Sequence, residues 1–240
     1  MLLHCGGETV SRDQVYGVAT PAGTDTWYPL SHSGVITEVE SQLLAAGFEI
    51  INEGHALSHE GARYFGILEL TTPERSKRGY GWVVGIRNSH DKSYPAGLVA
   101  GSKVFVCDNL AFTGEVRISR KHTRFAARDL RHLTARAVGQ LGDRFLALDD
   151  RIDAYRDKSV SDRVAHDTVV RALDCRAIVT SQIPGVLQEW RMPSHEDFAH
   201  RNAWSLFNAF TETSKGLNPQ TLVNRTQALH GLFDGLVGLN

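Results

Sequence analysis

"RISRKHTRFAARDLRHLTARA", residues 117–137, is where the chain changes its hydrophobic period. Upstream of it, apolar and β-branched residues come in short runs bounded by turn formers, whereas from about residue 123 they recur every third or fourth position. The stretch therefore separates a β-rich first half from a helical second half and sets the fold class as α+β. Ala126, Leu130, Leu133 and Ala137 fall on one side of a helix here. Arg117, Arg120, Arg124, Arg128 and Arg131 keep a three- and four-residue spacing, so one continuous helix would carry them as a single stripe opposite that apolar side. "EVRIS" (115–119) also reads as extended, which leaves Arg117 to Arg120 open to a strand assignment.

Four runs precede this boundary: "FEIINEGHALS" (48–58), "ARYFGILEL" (62–70), "WVVGIRNS" (82–89) and "SKVFVCDNLAF" (102–112). They are separated by "HEG", "PERSKRG" and a longer Gly/Pro loop, and strands joined by short turns pair antiparallel. The expectation is an antiparallel β-meander of about four to six strands. "SRDQ" at Ser11–Gln14 has capping-box spacing, and "SGVITEVESQLLAAG" (33–47) is helical up to Gly47 in the C′ position, so short helices open the chain. Beyond the boundary, "HTRFAARDLRHLTARAVGQL", "SDRVAHDTVVRALDC", "EDFAHRNAWSLFNAF" and "PQTLVNRTQALHGLF" read as helices, broken at "TSQIPG", "RMPS" and "KGLNP". No repeat or low-complexity linker divides the 240 residues, which predicts one domain, mostly β-sheet over 1–122 and mostly helical over 123–240.

Composition bounds the function. The 26 Lys and Arg balance 27 Asp and Glu, so the whole chain has no bulk attraction to a polyanion. Affinity for nucleic acid must be local, and between Arg117 and Arg136 seven cations accompany one acid, Asp129. Guanidinium suits phosphate because its planar fork donates two hydrogen bonds at once. An aromatic side chain for stacking bases is not obvious near the stripe. Cys5, Cys107 and Cys175 form no CxxC pair and no even set, which fits a reducing cytoplasm better than a disulfide framework. No apolar run reaches the ~18–20 residues of a membrane helix, so no membrane association is expected.

Several chemical motifs fail on spacing. "HEDFAH" places His195 and His200 five apart, about 140° around a helix, and cannot clasp zinc as an i, i+4 pair would. Asp197 and Arg201, four apart, read instead as a surface ion pair. "GYGWVVG" (79–85) enters a strand and reads as a hairpin turn, and "GLVAGSK" (97–103) is one residue short of a phosphate loop. "RNSHDKS" (87–93) keeps more interest, since His90 and Asp91 follow one strand and His122 ends another, so that they form a metal or general-base site if those strands are neighbours; a structured turn is the alternative. Cys107 closes an apolar run, and Trp204, Phe207 and Phe210 have core spacing. No cofactor signature is complete, and no cofactor or resident metal is expected.

"TWYPL", "GARYFGILEL", "IRNSHDKSYPAGLVAGSKVFVCDNLAF", "RKHTRF" and "RNAWSLFNAFTE" occur in that order over about residues 20–214. Together they resemble a phage- and plasmid-borne family catalogued only as a domain of unknown function. The distinctive pieces here are Ser89, His90 and Asp91; Val106, Cys107 and Asn109; His122 and Thr123; and Trp204, Asn208, Ala209 and Thr211. The resemblance implies a mobile-element context in a host cytoplasm and supplies no catalytic residue. A β-meander followed by a basic helix is also similar in architecture to single-strand annealing recombination proteins, a likeness of fold alone.

Three expectations follow. The first is a nucleic-acid-binding, DNA-handling accessory protein using Arg117, Arg120, Lys121, Arg124, Arg128 and Arg131 with low sequence selectivity. The second is a metal-dependent phosphodiesterase or nuclease using His90, Asp91 and His122. The third is a protein-binding module that inhibits a host defence factor or forms a homo-oligomer.

Overall fold

The computed structural model describes residues 7–73, 75, 78–104 and 109–239. Six strands form one antiparallel sheet in sequence order: β1 (Glu8–Val10), β2 (Glu49–Ser58), β3 (Arg63–Thr71), β4 (Tyr80–Ser89), β5 (Ala96–Val104) and β6 (Leu110–Arg120). Each neighbour pair is antiparallel, as expected of strands joined by short connections. The helices are α1 (Arg12–Tyr16), α2 (His32–Ala45), α3 (Ala126–Val138), α4 (Leu141–Asp157), α5 (Asp162–Asp174), α6 (Ile183–Arg191), α7 (Ala203–Glu212) and α8 (Pro219–Val237). The fold is α+β, with strands in the first half and helices concentrated in the second. No described helix is long and apolar enough to cross a membrane.

The local signals act as read at both N-terminal helices. Ser11 Oγ accepts from Gln14 N at 3.3 Å, and Ser11 N donates to Gln14 Oε1 at 2.8 Å, a complete capping box. Gly47 follows α2 with φ of 84°, the left-handed position that favours glycine.

Side chains alternate across the strands, so the sheet builds two cores. Leu68, Trp82, Val84, Ile86, Leu98 and Val116 pack with the helices in the larger one, which includes residues from both halves of the chain. On the opposite side Phe65, Ile67, Val83, Val99 and Phe112 pack against Leu222 and Val223 of α8. That helix also contributes Leu229 and Phe233 to the larger core, so it wraps the edge of the sheet. Thr226 fixes it there: its hydroxyl accepts from Phe112 N at 3.0 Å and lies 3.1 Å from Phe112 O. An otherwise unpaired edge strand is thereby covered. Trp204, Phe207 and Phe210 are buried, as their spacing predicts.

Four sequence readings need correction. "SKVFVCDNLAF" is not one strand: Ser102–Val104 close β5 and Leu110–Phe112 open β6, and Cys107 lies outside the described residues. The preceding "AGLVAG", read as loop, is β5 itself. Its small residues are demanded by packing, since a Cβ on Gly101 would come 2.3 Å from Ala111 O. "EDFAHRNAWSLFNAF" divides into a 3-10 turn at Glu196–Phe198 and α7, and Arg201, at φ 51°, pairs with Asp162 at 2.5 Å in place of Asp197. "GYGWVVG" is not itself a turn, because Gly81 and Gly85 lie inside β4. Helices α4 and α6 were not anticipated, and α6 begins at Ile183, inside the "TSQIPG" stretch read as a break.

Candidate nucleic-acid interface

β6 continues to Arg120 because Val116 and Ile118 pack with the larger core while Val99 pairs with Arg117, Leu98 with Ile118, Gly97 with Ser119 and Ala96 with Arg120. Helix α3 begins only at Ala126. The five arginines are therefore not one helical stripe: Arg117 and Arg120 belong to a strand, Arg124 to the connection, and Arg128 and Arg131 to α3. Strand and helix pack on each other, so the basic residues still occupy adjoining surface around the strand-to-helix corner. Ala126, Leu130 and Ala137 are buried on α3 as predicted, whereas Leu133 is only half-buried and Thr134 and Val138 complete the buried side.

Asp129 serves two of these cations. Its Oδ2 accepts from Arg120 at 2.8 Å and its Oδ1 from Arg128 at 2.9 Å. The hydrogen bond from Arg128, with that from Arg120, holds the carboxyl below its ordinary value. Among the described residues no carboxylate pairs with Arg117, Lys121, Arg124, Arg131 or Arg136. The corner thus keeps an unbalanced positive charge after its internal pairing is counted.

Phe125, at the N-cap of α3, is 53% exposed in the middle of this charge. Arg128 lies 4.7 Å and Arg124 5.8 Å from its ring centroid. Both distances are within cation–π range, so the two guanidiniums contact a ring that is still half-exposed. The sequence reading overlooked this aromatic. Its clue was spacing: Phe125 falls outside the apolar series of α3 and three residues before Arg128. Beside Arg117, Arg87 donates to Gln220 Oε1, and Arg117 reaches the same oxygen at 3.5 Å. Desolvation and repulsion from Arg117 lower the Arg87 pKa. Two guanidiniums sharing one neutral acceptor extend the positive surface along the sheet.

The proposed His90, Asp91 and His122 site does not assemble. β4 ends at Ser89, and in the bend that follows Asp91 accepts from Arg63 at 2.6 Å. It also accepts from Ser93 N at 3.0 Å, and these hydrogen bonds overcome desolvation to hold its pKa at about 2. His90 and His122 both grip the backbone of Leu30. Leu30 O accepts from Asn88 Nδ2 at 2.8 Å and from His90 Nε2 at 2.9 Å, while Leu30 N donates to His122 Nδ1 at 3.0 Å. His32 stacks on His90 with centroids 3.9 Å apart and rings 4° from parallel. Its Nε2 donates to Gly61 O at 2.9 Å, and its Nδ1 accepts from Asn88 at 3.0 Å. No group of three or more metal-ligating side chains occurs among the described residues.

The other motif residues that lie among the described residues, which exclude Val106 and Cys107, make structural contacts. Ser89 Oγ donates to Tyr94 O at 2.7 Å, Thr123 Oγ1 accepts from Arg120 at 2.8 Å, and Asn109 Nδ2 lies 3.4 Å from Asn208 O. Trp204 stacks on Phe207 with centroids 5.7 Å apart.

Burial drives His32 and His122 down to about 4 from an ordinary 6.5, with neighbouring imidazoles adding to the effect. The unfolded chain therefore binds more protons between pH 6.5 and 4, and stability falls as pH drops through that window. The His32 shift alone corresponds to about 3 kcal/mol. Urea midpoints should decline from pH 7 to 4.5, and His32→Gln should flatten the decline; equal midpoints across this range would refute the assignment.

Against this geometry, comparison with protein-family models, curated proteins and solved structures returns no match.

Proposed function

We propose that the chain is a nucleic-acid-binding accessory protein of a phage or plasmid, active in the host cytoplasm and handling single-stranded DNA with low sequence selectivity. The observation that carries this reading is Phe125, exposed between Arg124 and Arg128 on a surface whose only nearby described acid, Asp129, is already shared by two arginines. An aromatic face stacks any base, and flanking guanidiniums take the phosphates on either side. Arg117, Arg120, Lys121 and Arg131 extend the contact, with Arg87 beside Arg117. The resemblance to mobile-element proteins agrees in context, and the α+β architecture agrees with a strand-and-helix border to a positive surface.

Fluorescence anisotropy with labelled oligothymidylate and with duplex DNA tests this. Single strands should bind with strong salt dependence, and Phe125→Ala should weaken them roughly tenfold or more, the worth of one stacked base, without changing the salt slope. Absent or salt-independent binding would remove the reading.

A further inference from the structure

We infer that a second cavity beside the basic corner is a nucleotide-unit subsite, with Trp27 and Tyr94 as ring walls and Lys92 and Lys121 for the phosphate. This inference rests on the nucleic-acid reading and specifies one of its contacts. The cavity, about 480 Å³, is also lined by His122. Its volume, its two aromatic residues and its two lysines suit a nucleoside monophosphate or one unit of a strand.

Unused hydrogen-bonding capacity points to a ligand. Trp27 Nε1 is buried without a partner, and an indole nitrogen can only donate. His122 Nδ1 accepts from Leu30 N, so the neutral ring carries its proton on Nε2. That nitrogen is also buried without a partner, in a side chain only 5% exposed. Two orphan N–H donors therefore belong to side chains that form this cavity. Unpartnered buried donors are rare in a folded chain, and both of these belong to residues that line the one cavity.

The surrounding turn holds its residues in place for this purpose. Arg63 and Ser93 fix Asp91, and Ser89 binds both the N–H and the carbonyl of Tyr94. Between them Lys92 adopts φ of 63°, a strained backbone for a lysine, and its ammonium lies 5.0 Å from the Trp27 ring centroid. The "SHD" turn thus presents a cation and an aromatic ring where catalytic chemistry was expected from sequence.

The test is calorimetry with thymidine monophosphate, alongside anisotropy with oligothymidylate, on the whole chain and on Trp27→Ala and Lys92→Asn. Asparagine tolerates the backbone at 92, so that variant stands if Trp27→Ala fails to fold. Thymidine monophosphate should bind, inorganic phosphate should bind far less, and each variant should weaken both ligands, Trp27→Ala by roughly tenfold or more. Strand binding that persists unchanged in both variants, with no mononucleotide binding, overturns the subsite and leaves the corner reading intact. Mononucleotide binding lost in the variants, without strand binding by any form, supports a free-nucleotide site and overturns the strand reading. Failure of both ligands to bind overturns both.

Discussion

Asp149→Ala is expected to lower folding stability by about 3–5 kcal/mol, the cost of leaving buried partners of a charge unpaired. The carboxylate is buried on α4, and its Oδ1 accepts from Tyr80 Oη at 2.8 Å, Trp82 Nε1 at 2.9 Å and Arg75 at 3.2 Å. Arg78 Nε lies 3.7 Å from its other oxygen. Removing it orphans an indole and the Arg75 guanidinium and takes the phenol's acceptor where β4 meets α4, while Arg78 keeps Asp153. Burial, with the hydrogen bond to Asp149, raises the Tyr80 pKa, so the phenol remains the donor throughout the physiological range. Asp153, which is 47% exposed and pairs only with Arg78 among the described residues, is the control. Asp153→Ala should cost at most about 1 kcal/mol. Equal urea midpoints for the two variants would contradict the argument. The same network explains why the neighbouring cavity of about 550 Å³, lined by Phe48, Trp82 and Leu146, is a weaker candidate site: its arginines already share an acid.

Replacing Arg124, Arg128 and Arg131 together by Gln should reduce the salt slope of single-strand binding by about two units, at roughly 0.7 per lost phosphate contact. Between 1 M and 0.1 M salt that difference amounts to an affinity loss of roughly a hundredfold at the lower concentration. Stability should change little, because these side chains are exposed on α3 or just before it. Arg128→Gln has one further consequence: it releases Asp129 to Arg120 alone, so the single substitution should affect binding less than Arg124→Gln or Arg131→Gln. A triple variant with wild-type affinity and slope would place the contact elsewhere, as would a loss independent of salt. A pull-down from nuclease-treated host lysate distinguishes a protein partner for the same surface.

The strands of β2, β3 and β4 were legible because runs rich in β-branched and aromatic residues are bounded there by turn formers. β5 was not, because the close approach of β6 requires Gly and Ala, residues that score as loop when read alone. The apolar series of α4, Leu141, Phe145, Leu148, Ile152 and Tyr155, is regular, but only Gly139 and Gln140 separate it from α3, and the two merge to the eye. The basic cluster was visible as composition, while its shape depended on where strand pairing stopped. Adjacency misled at His90 and Asp91: neighbours in sequence diverged in space, and the histidines found a backbone to hold in place of a metal. Trp27 figured only within the "TWYPL" stretch of the family resemblance, and nothing local marked its role, since its contact with His122 joins residues 95 positions apart.

Leu30 and His122 are 92 residues apart, yet their hydrogen bond seats the segment bearing Trp27. A ribosome must deliver the entire meander before this bond can form, and closing so long a loop is slow relative to local helix or hairpin formation. The walls around Trp27 are consequently assembled late. Truncated or stalled chains ending before residue 122 would carry the aromatic without its niche.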